Sequence, residues 1–173
     1  MEVKKVHLEE VNSTNSWLLE ALTSATETLP EGSVVYTMRQ TAGRGQVGNS
    51  WESEPDKNIS FSVLLRPEFV PVAQQFVISE LCCLSILKAL QGLGATDLSI
   101  KWPNDIYAGD EKLCGILIEN RLMRGVLAES VLGIGINVNQ EKWVGNAPNP
   151  TSLLLRGIQT TPEDVLEVVL NTI

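Results

Sequence analysis

From Leu98 to Val138 the chain offers a succession of apolar, β-branched runs separated by turn signals and by nothing that reads as a helix. Leu98 to Trp102, Ile106 to Ala108, Lys112 to Glu119 and Gly125 to Val138 read as strands, with Gly109-Asp110 as one of the turns. Neighbours joined this tightly pair antiparallel, because a parallel crossover takes a dozen or more residues. The pattern therefore argues against alternating strand-helix units. It predicts an α+β fold in which a mixed, largely antiparallel sheet carries flanking helices.

The remaining elements fit beside such a sheet. Val3 to Val6 reads as a short strand leading into Asn12-Ser13-Thr14-Asn15, which is rich in helix-capping residues. Trp17, Leu18, Ala21, Leu22 and Ala25 then share one helical face. Ser33 to Met38 and Ile59 to Leu65 read as strands, with a long, polar, glycine-rich loop from Arg39 to Lys57 between them. Phe76, Val77, Glu80, Leu81, Leu84, Leu87 and Lys88 have helical spacing, ended by Gly92 and Gly94. Thr161-Pro162-Glu163-Asp164 opens a last helix, expected to run out at Ile173 with Val165, Leu166, Val169 and Leu170 incompletely covered. No linker composition divides the 173 residues, which are read as one domain, 1–173.

Charge and residue usage narrow the function. A formal net charge of −8 argues against nucleic acid as a partner, which would need a basic stripe. Met1 to Glu10 lacks the apolar core of a secretory signal, and the run from Phe76 to Leu90 is interrupted by Glu80 and Lys88. A cytoplasmic protein without a membrane partner is expected. Cys82 and Cys83 are adjacent and Cys114 stands apart, a spacing that suits reduced core thiols and no metal site. His7 is the only histidine, which excludes a multi-histidine zinc site.

Four segments carry chemistry. Gly43-Arg44-Gly45-Gln46-Val47-Gly48 satisfies the dinucleotide-binding pattern, but no helix opens at the glycines, since Pro55 and a second strand follow. What survives is an anion clamp, with backbone N–H groups made accessible by glycine and a fork of donors from Arg44. Lys101-Trp102-Pro103-Asn104-Asp105 gathers a lysine, an amide and a carboxylate around one turn, although a plain β-turn favours the same residues. Lys112 enters a strand with Gly115 on the opposite face by the period of two. Gly133 and Gly135 lie on one face of an apolar strand, fitting either a bulge or a ligand pressed against backbone.

Taken together and in this order, Ser13-Thr14-Asn15, Gln40 through Trp51, Lys101 to Asp105, Lys112 to Gly115 and Gly133 to Asn137 closely resemble the biotin-protein ligase family. The resemblance implies a sheet related to those of lipoate ligases and class II synthetases. It implies ATP-dependent activation of biotin to biotinyl-AMP, with Mg²⁺, and transfer to a lysine of a biotin carboxyl carrier protein domain. Biotin would be held by Ser13, Thr14, Asn15, Gln40, Gly43, Arg44, Gly45, Gln46, Lys112, Gly115, Gly133 and Gly135. ATP would meet Arg44, Gly48, Trp51, Lys101, Asn104, Asp105, Lys112 and Asn137. Catalysis would fall to Lys112, Arg44 and Asp105, the last of which either holds the metal or orients a lysine. Gln46, Val47 and Asn49 stand where many relatives carry cations, which implies weaker retention of the adenylate. The small β-barrel domain and the helix-turn-helix of some relatives are not expected in these residues, and a homodimer is left open. The alternatives are a lipoate or octanoate ligase on the same scaffold and a biotin-binding protein without ligase activity.

Overall fold

The computed structural model describes residues 3–24, 29–46, 48–145 and 147–173. Its centre is a seven-stranded sheet built from β1 (Lys5–His7), β2 (Val34–Thr37), β5 (Ile59–Leu65), β6 (Leu98–Lys101), β7 (Asp105–Ala108), β8 (Glu111–Met123) and β9 (Val126–Ile136). The spatial order is β1-β2-β5-β9-β8-β7-β6, and β1 with β2 is the parallel pair. The expected fold class is the one observed. A separate two-stranded hairpin, β3 (Gly43–Arg44) with β4 (Ser50–Trp51), stands inside the long polar segment that reads as a loop in sequence.

Period-two alternation sorts each central strand onto two faces. In β5, Ile59, Phe61 and Val63 join Ile134 and Ile136 of β9 in the larger core, covered by α2 (Phe76–Gly92) and α3 (Pro162–Leu170). Leu64, with Val35 and Val131, turns to the other face and meets Leu18 of α1 (Thr14–Ser24). That short helix covers only part of its face, and the uncovered remainder is where the functional site lies. By length and composition alone the stretch Val72–Gly92 passes for a membrane span; here Ile78, Cys82, Ile86 and Leu90 pack into the core.

Several boundaries differ from the sequence reading for identifiable reasons. The first strand is Lys5–His7, set by pairing with Val34 to Tyr36, and Ala25 lies outside the described residues. β8 does not stop at Glu119: it continues to Met123 because β9 pairs with it up to a tight turn in which Arg124 and Gly125 both have positive φ, 52° and 82°. The last helix ends at Leu170, capped by Asn171, instead of running to Ile173. Of its residues expected to be incompletely covered, Val165, Leu166 and Val169 are buried in the core and Leu170 packs against it partly buried. Its start is as expected, with Thr161 accepting from the Asp164 N–H at 3.1 Å and proline in the first turn.

All three cysteines are free and buried. Burial pushes the Cys82 thiol up to about 12 and holds the Cys114 thiol well above its ordinary range, which suits inert core thiols. His7 sits at the exposed edge of β1, stacked on Tyr36 with ring centroids 4.9 Å apart.

Candidate active site

The face of the sheet left open by α1 bears small residues at alternating positions. Ser60 and Ser62 on β5 lie opposite Gly135 and Gly133 on β9, and these pair in turn with Gly115 and Leu117 on β8. The floor is therefore low across three strands, and a cavity of about 540 Å³ opens above it. One wall comes from the hairpin segment, which contributes Arg44, Gly45, Gln46, Gly48 and Trp51; another comes from Trp143, Gly145, Ala147, Pro148 and Pro150.

The floor glycines are required by close approach. A Cβ on Gly133 would come within 2.7 Å of Asn15 Cγ, one on Gly115 within 2.9 Å of Trp51 Cζ3, and one on Gly135 within 2.8 Å of Trp51 Cζ2. The indole of Trp51 thus lies on the notch made by the cross-strand pair Gly115 and Gly135. What presses on these glycines is the protein's own Asn15 and Trp51, so neither expected reason, a bulge at this point of β9 or a ligand against its backbone, is what the structure shows there.

A bulge does occur, one strand away. Ile106 pairs with Cys114 while its neighbour Tyr107 pairs with Lys112, leaving Leu113 as the extra residue. Leu113 and Cys114 consequently both enter the core, and the alternation resets. The expectation that Lys112 and Gly115 face opposite ways is corrected by this: both face the cavity, and a Cβ on Gly115 would be 3.4 Å from Lys112 Cε. The Lys112 ammonium lies 2.8 Å from Asp105 Oδ1 and 5.8 Å from the Trp51 ring centroid. Its backbone is clamped by Asn149 and Thr151, donating to Asn149 O at 2.7 Å and accepting from Thr151 N at 2.9 Å. Asp105 is thus the ion partner of Lys112 on this wall.

At the α1 end, Ser13, Thr14, Asn15 and Gln40 meet, as the motif order suggests. Gln40 Oε1 accepts the Thr14 N–H at 3.0 Å. Gly43 is set back from the cavity wall, fitted between Gln40 and Trp51. Arg44 is not a free clamp, because Glu119 holds its guanidinium bidentately at 3.0 and 2.6 Å. At the other end stand Lys101, Asn104 and Asn137. Lys101 Nζ donates to Tyr107 Oη at 3.1 Å, which raises the lysine pKa, and the Trp102-Pro103 bond beside it is cis. Asn104 donates to Ile116 O and Asn137 to Thr151 O, the latter at 2.9 Å, so each amide also braces the wall.

Three buried polar atoms on this cavity have no partner: Trp51 Nε1, Ser60 Oγ and Asn137 Oδ1. Sequence reading missed Ser60, Ser62 and Glu119. The two serines carried a usable signal, since a polar residue at every second position of an otherwise apolar strand marks a face that is not core. Glu119 carried none, being one acid among many. Among the described residues no group of three or more His, Cys, Asp or Glu side chains gathers as a metal site would require.

Comparison with known proteins places this geometry. The model of the biotin/lipoate A/B protein ligase family matches residues 8–137. The bifunctional ligase/repressor BirA of Escherichia coli K12 is 36% identical over 131 residues, which is 76% of this chain and 39% of that protein. The biotin--[acetyl-CoA-carboxylase] ligase of Mycobacterium tuberculosis is 35% identical over 154 residues, 86% of this chain and 54% of that one. The chain thus spans roughly two fifths to one half of the length of these curated relatives. The solved structure of the biotin protein ligase from Aquifex aeolicus in complex with biotin and ATP superposes with a TM-score of 0.79 at 30% identity, covering 98% of this chain and 68% of that one. Fold, cavity and sequence agree, and the chain belongs to the biotin/lipoate A/B protein ligase family.

Proposed function

We propose that this chain activates biotin with ATP and passes the biotinyl group to a lysine of a biotin carboxyl carrier domain. The observation that carries the reading is the placement of Lys112: its side chain reaches the Gly115 row, between the Thr14 and Asn15 end of one cavity and its Lys101 and Asn137 end. A carboxylate bound at the first end and a nucleotide at the second would meet beside this ammonium. In the first step the biotin carboxylate oxygen attacks the α-phosphorus, the bond to the β-phosphate breaks and pyrophosphate leaves. Charge grows on the non-bridging oxygens, and a cation fixed in advance stabilises it without reorganisation. In the second step a carrier lysine amine attacks the acyl carbon, AMP leaves, and the amine loses its proton.

The relatives' names and the ligands of the Aquifex aeolicus structure support the substrates. Mg²⁺ is commonly held by one or two carboxylates together with substrate phosphates, and Asp105, beside Lys112, is the carboxylate that would hold it here. Such an ion would supply neutralisation of phosphate charge. Lipoate or octanoate is the second reading, favoured only by the breadth of the family. The polar lining at Ser13, Thr14 and Gln40 speaks for a ureido group instead, because it would be left unpaired by an alkyl or dithiolane end. The test is isotope exchange between pyrophosphate and ATP in folded protein. Exchange that requires biotin supports the reading, and exchange that requires lipoate or none at all overturns it.

Gln46 is exposed on the cavity wall, at a position suited to a long cation facing the adenylate. Gln46→Arg is expected to slow release of biotinyl-AMP about tenfold, the effect of one charge-assisted contact of about 1.5 kcal/mol. Rapid-quench measurement of adenylate dissociation checks this, and an unchanged off-rate removes Gln46 as the cause of weak retention.

A further inference from the structure

Hydrogen positions at the α1 end of the cavity follow from which atoms can only accept, and they lead back to Glu119. The Asn15 amide nitrogen lies 2.9 Å from Glu119 Oε2 and 3.2 Å from the Leu117 carbonyl, both pure acceptors. Asn15 Oδ1 is therefore an acceptor turned the other way, and Ser62 Oγ at 2.5 Å must spend its single proton on it. The 2.8 Å contact between Ser62 and Thr14 hydroxyls then has Thr14 as donor. With that proton committed, Thr14 Oγ1 can offer only lone pairs to a ligand. Gln40 is fixed likewise: its oxygen accepts the Thr14 N–H, so its other terminus is the donating amide. Arg44 spends two of its donors on Glu119 and keeps the rest.

We propose that Glu119 is a positioning residue that sets ligand specificity at this end of the cavity. It orients Arg44 directly and, together with the Leu117 carbonyl, orders the Asn15, Ser62 and Thr14 protons in series, so the pocket accepts from an N–H at Thr14 and donates to an oxygen from Gln40 and Arg44. A cyclic urea presents that pattern; an alkyl or dithiolane end does not. The inference rests on the biotin reading above and assigns its selectivity to a residue outside the motifs.

Glu119→Gln breaks the arrangement, because an amide offers a single acceptor oxygen and its nitrogen must confront a donor of Arg44 in either orientation, and Asn15 as well in one of them. Ser62→Ala cuts the series while leaving the Arg44 pair intact. Calorimetric titration of the whole chain with biotin, octanoate and ATP reads the outcome. Each variant is expected to weaken biotin binding about tenfold or more, with ATP affinity nearly unchanged and preference for biotin over octanoate reduced. The double variant should lose less than the product of the two single losses, since both act on one series. Should Glu119→Gln fail to fold, Ser62→Ala carries the test. Folded variants that keep biotin affinity, or that lose biotin and ATP affinity equally, overturn the proposal. A wild-type chain that binds no biotin overturns the functional reading itself, an outcome visible before any variant is made.

Discussion

Lys112→Ala is expected to lower the rate of adenylate formation by about 10²-fold or more, the usual loss when one preorganised charge is removed from a site of developing anion. The side chain is only partly exposed, 24% for Lys112 and 20% for Asp105, so the pair acts in surroundings where charge is poorly screened by water. Fold should survive, because the backbone bonds from Lys112 to Asn149 and Thr151 do not depend on the side chain. Single-turnover measurement with biotin and ATP both saturating separates lost chemistry from lost affinity. Lys112→Arg should recover part of the rate, and Asp105→Asn should lower it less than Lys112→Ala does, since it frees the ammonium without deleting it. A near-normal rate in Lys112→Ala would reduce the lysine to the ion partner of Asp105.

The fold was legible where hydrophobic period and turn chemistry speak locally. Four strands after Leu98 announced an antiparallel sheet, and Thr161-Pro162-Glu163-Asp164 announced the start of a helix that does start there. Strand ends were less legible, because β8 is prolonged through Asn120 to Met123 by pairing with β9, which local sequence does not display. The register shift at Leu113 shows the same limit more sharply. Two adjacent apolar residues, Leu113 and Cys114, admit a bulge, but only the pairing with Ile106 and Tyr107 decides that Lys112 turns inward.

For the site, nearly all the residues singled out by the motifs line the cavity, Gly43 being the one set back, because each is a residue type unusual for its place in a loop or strand. What they could not show is who holds whom. Arg44 read as a free donor fork, and only the fold brings Glu119, 75 residues away, onto it. Asp105 was left between metal and lysine, and its 2.8 Å contact with Lys112 comes from β7 and β8 being neighbours in the sheet. Long-range partners are set by topology, which short motifs do not encode.

Gly135→Val is expected to weaken biotin binding about 100-fold, equivalent to about 2.7 kcal/mol, while the strand itself remains formed. Valine suits a β-strand, and Gly135 has no positive φ that a side chain would strain, so the backbone has no objection. The objection is steric. The new Cβ alone would lie 2.5 Å from Trp51 Nε1 and 2.8 Å from Cζ2, and an indole cannot yield locally as the tip of a lysine can. The ring must leave the notch as a unit, yet its backbone is tied to Gly43 across the β3 and β4 hairpin, with the Gln40 side chain close behind Gly43. Displacement therefore disturbs the wall that carries Gln40 and Arg44. Overpacking of this kind costs about 1–3 kcal/mol of stability, which thermal unfolding would show. Trp51→Ala in the same chain makes the cause testable, since removing the ring should relieve most of the stability loss caused by Gly135→Val. Calorimetry with biotin reads the affinity, and a variant that binds biotin as wild type does would mean that the Gly115 and Gly135 notch is packing for Trp51 and no part of the ligand site.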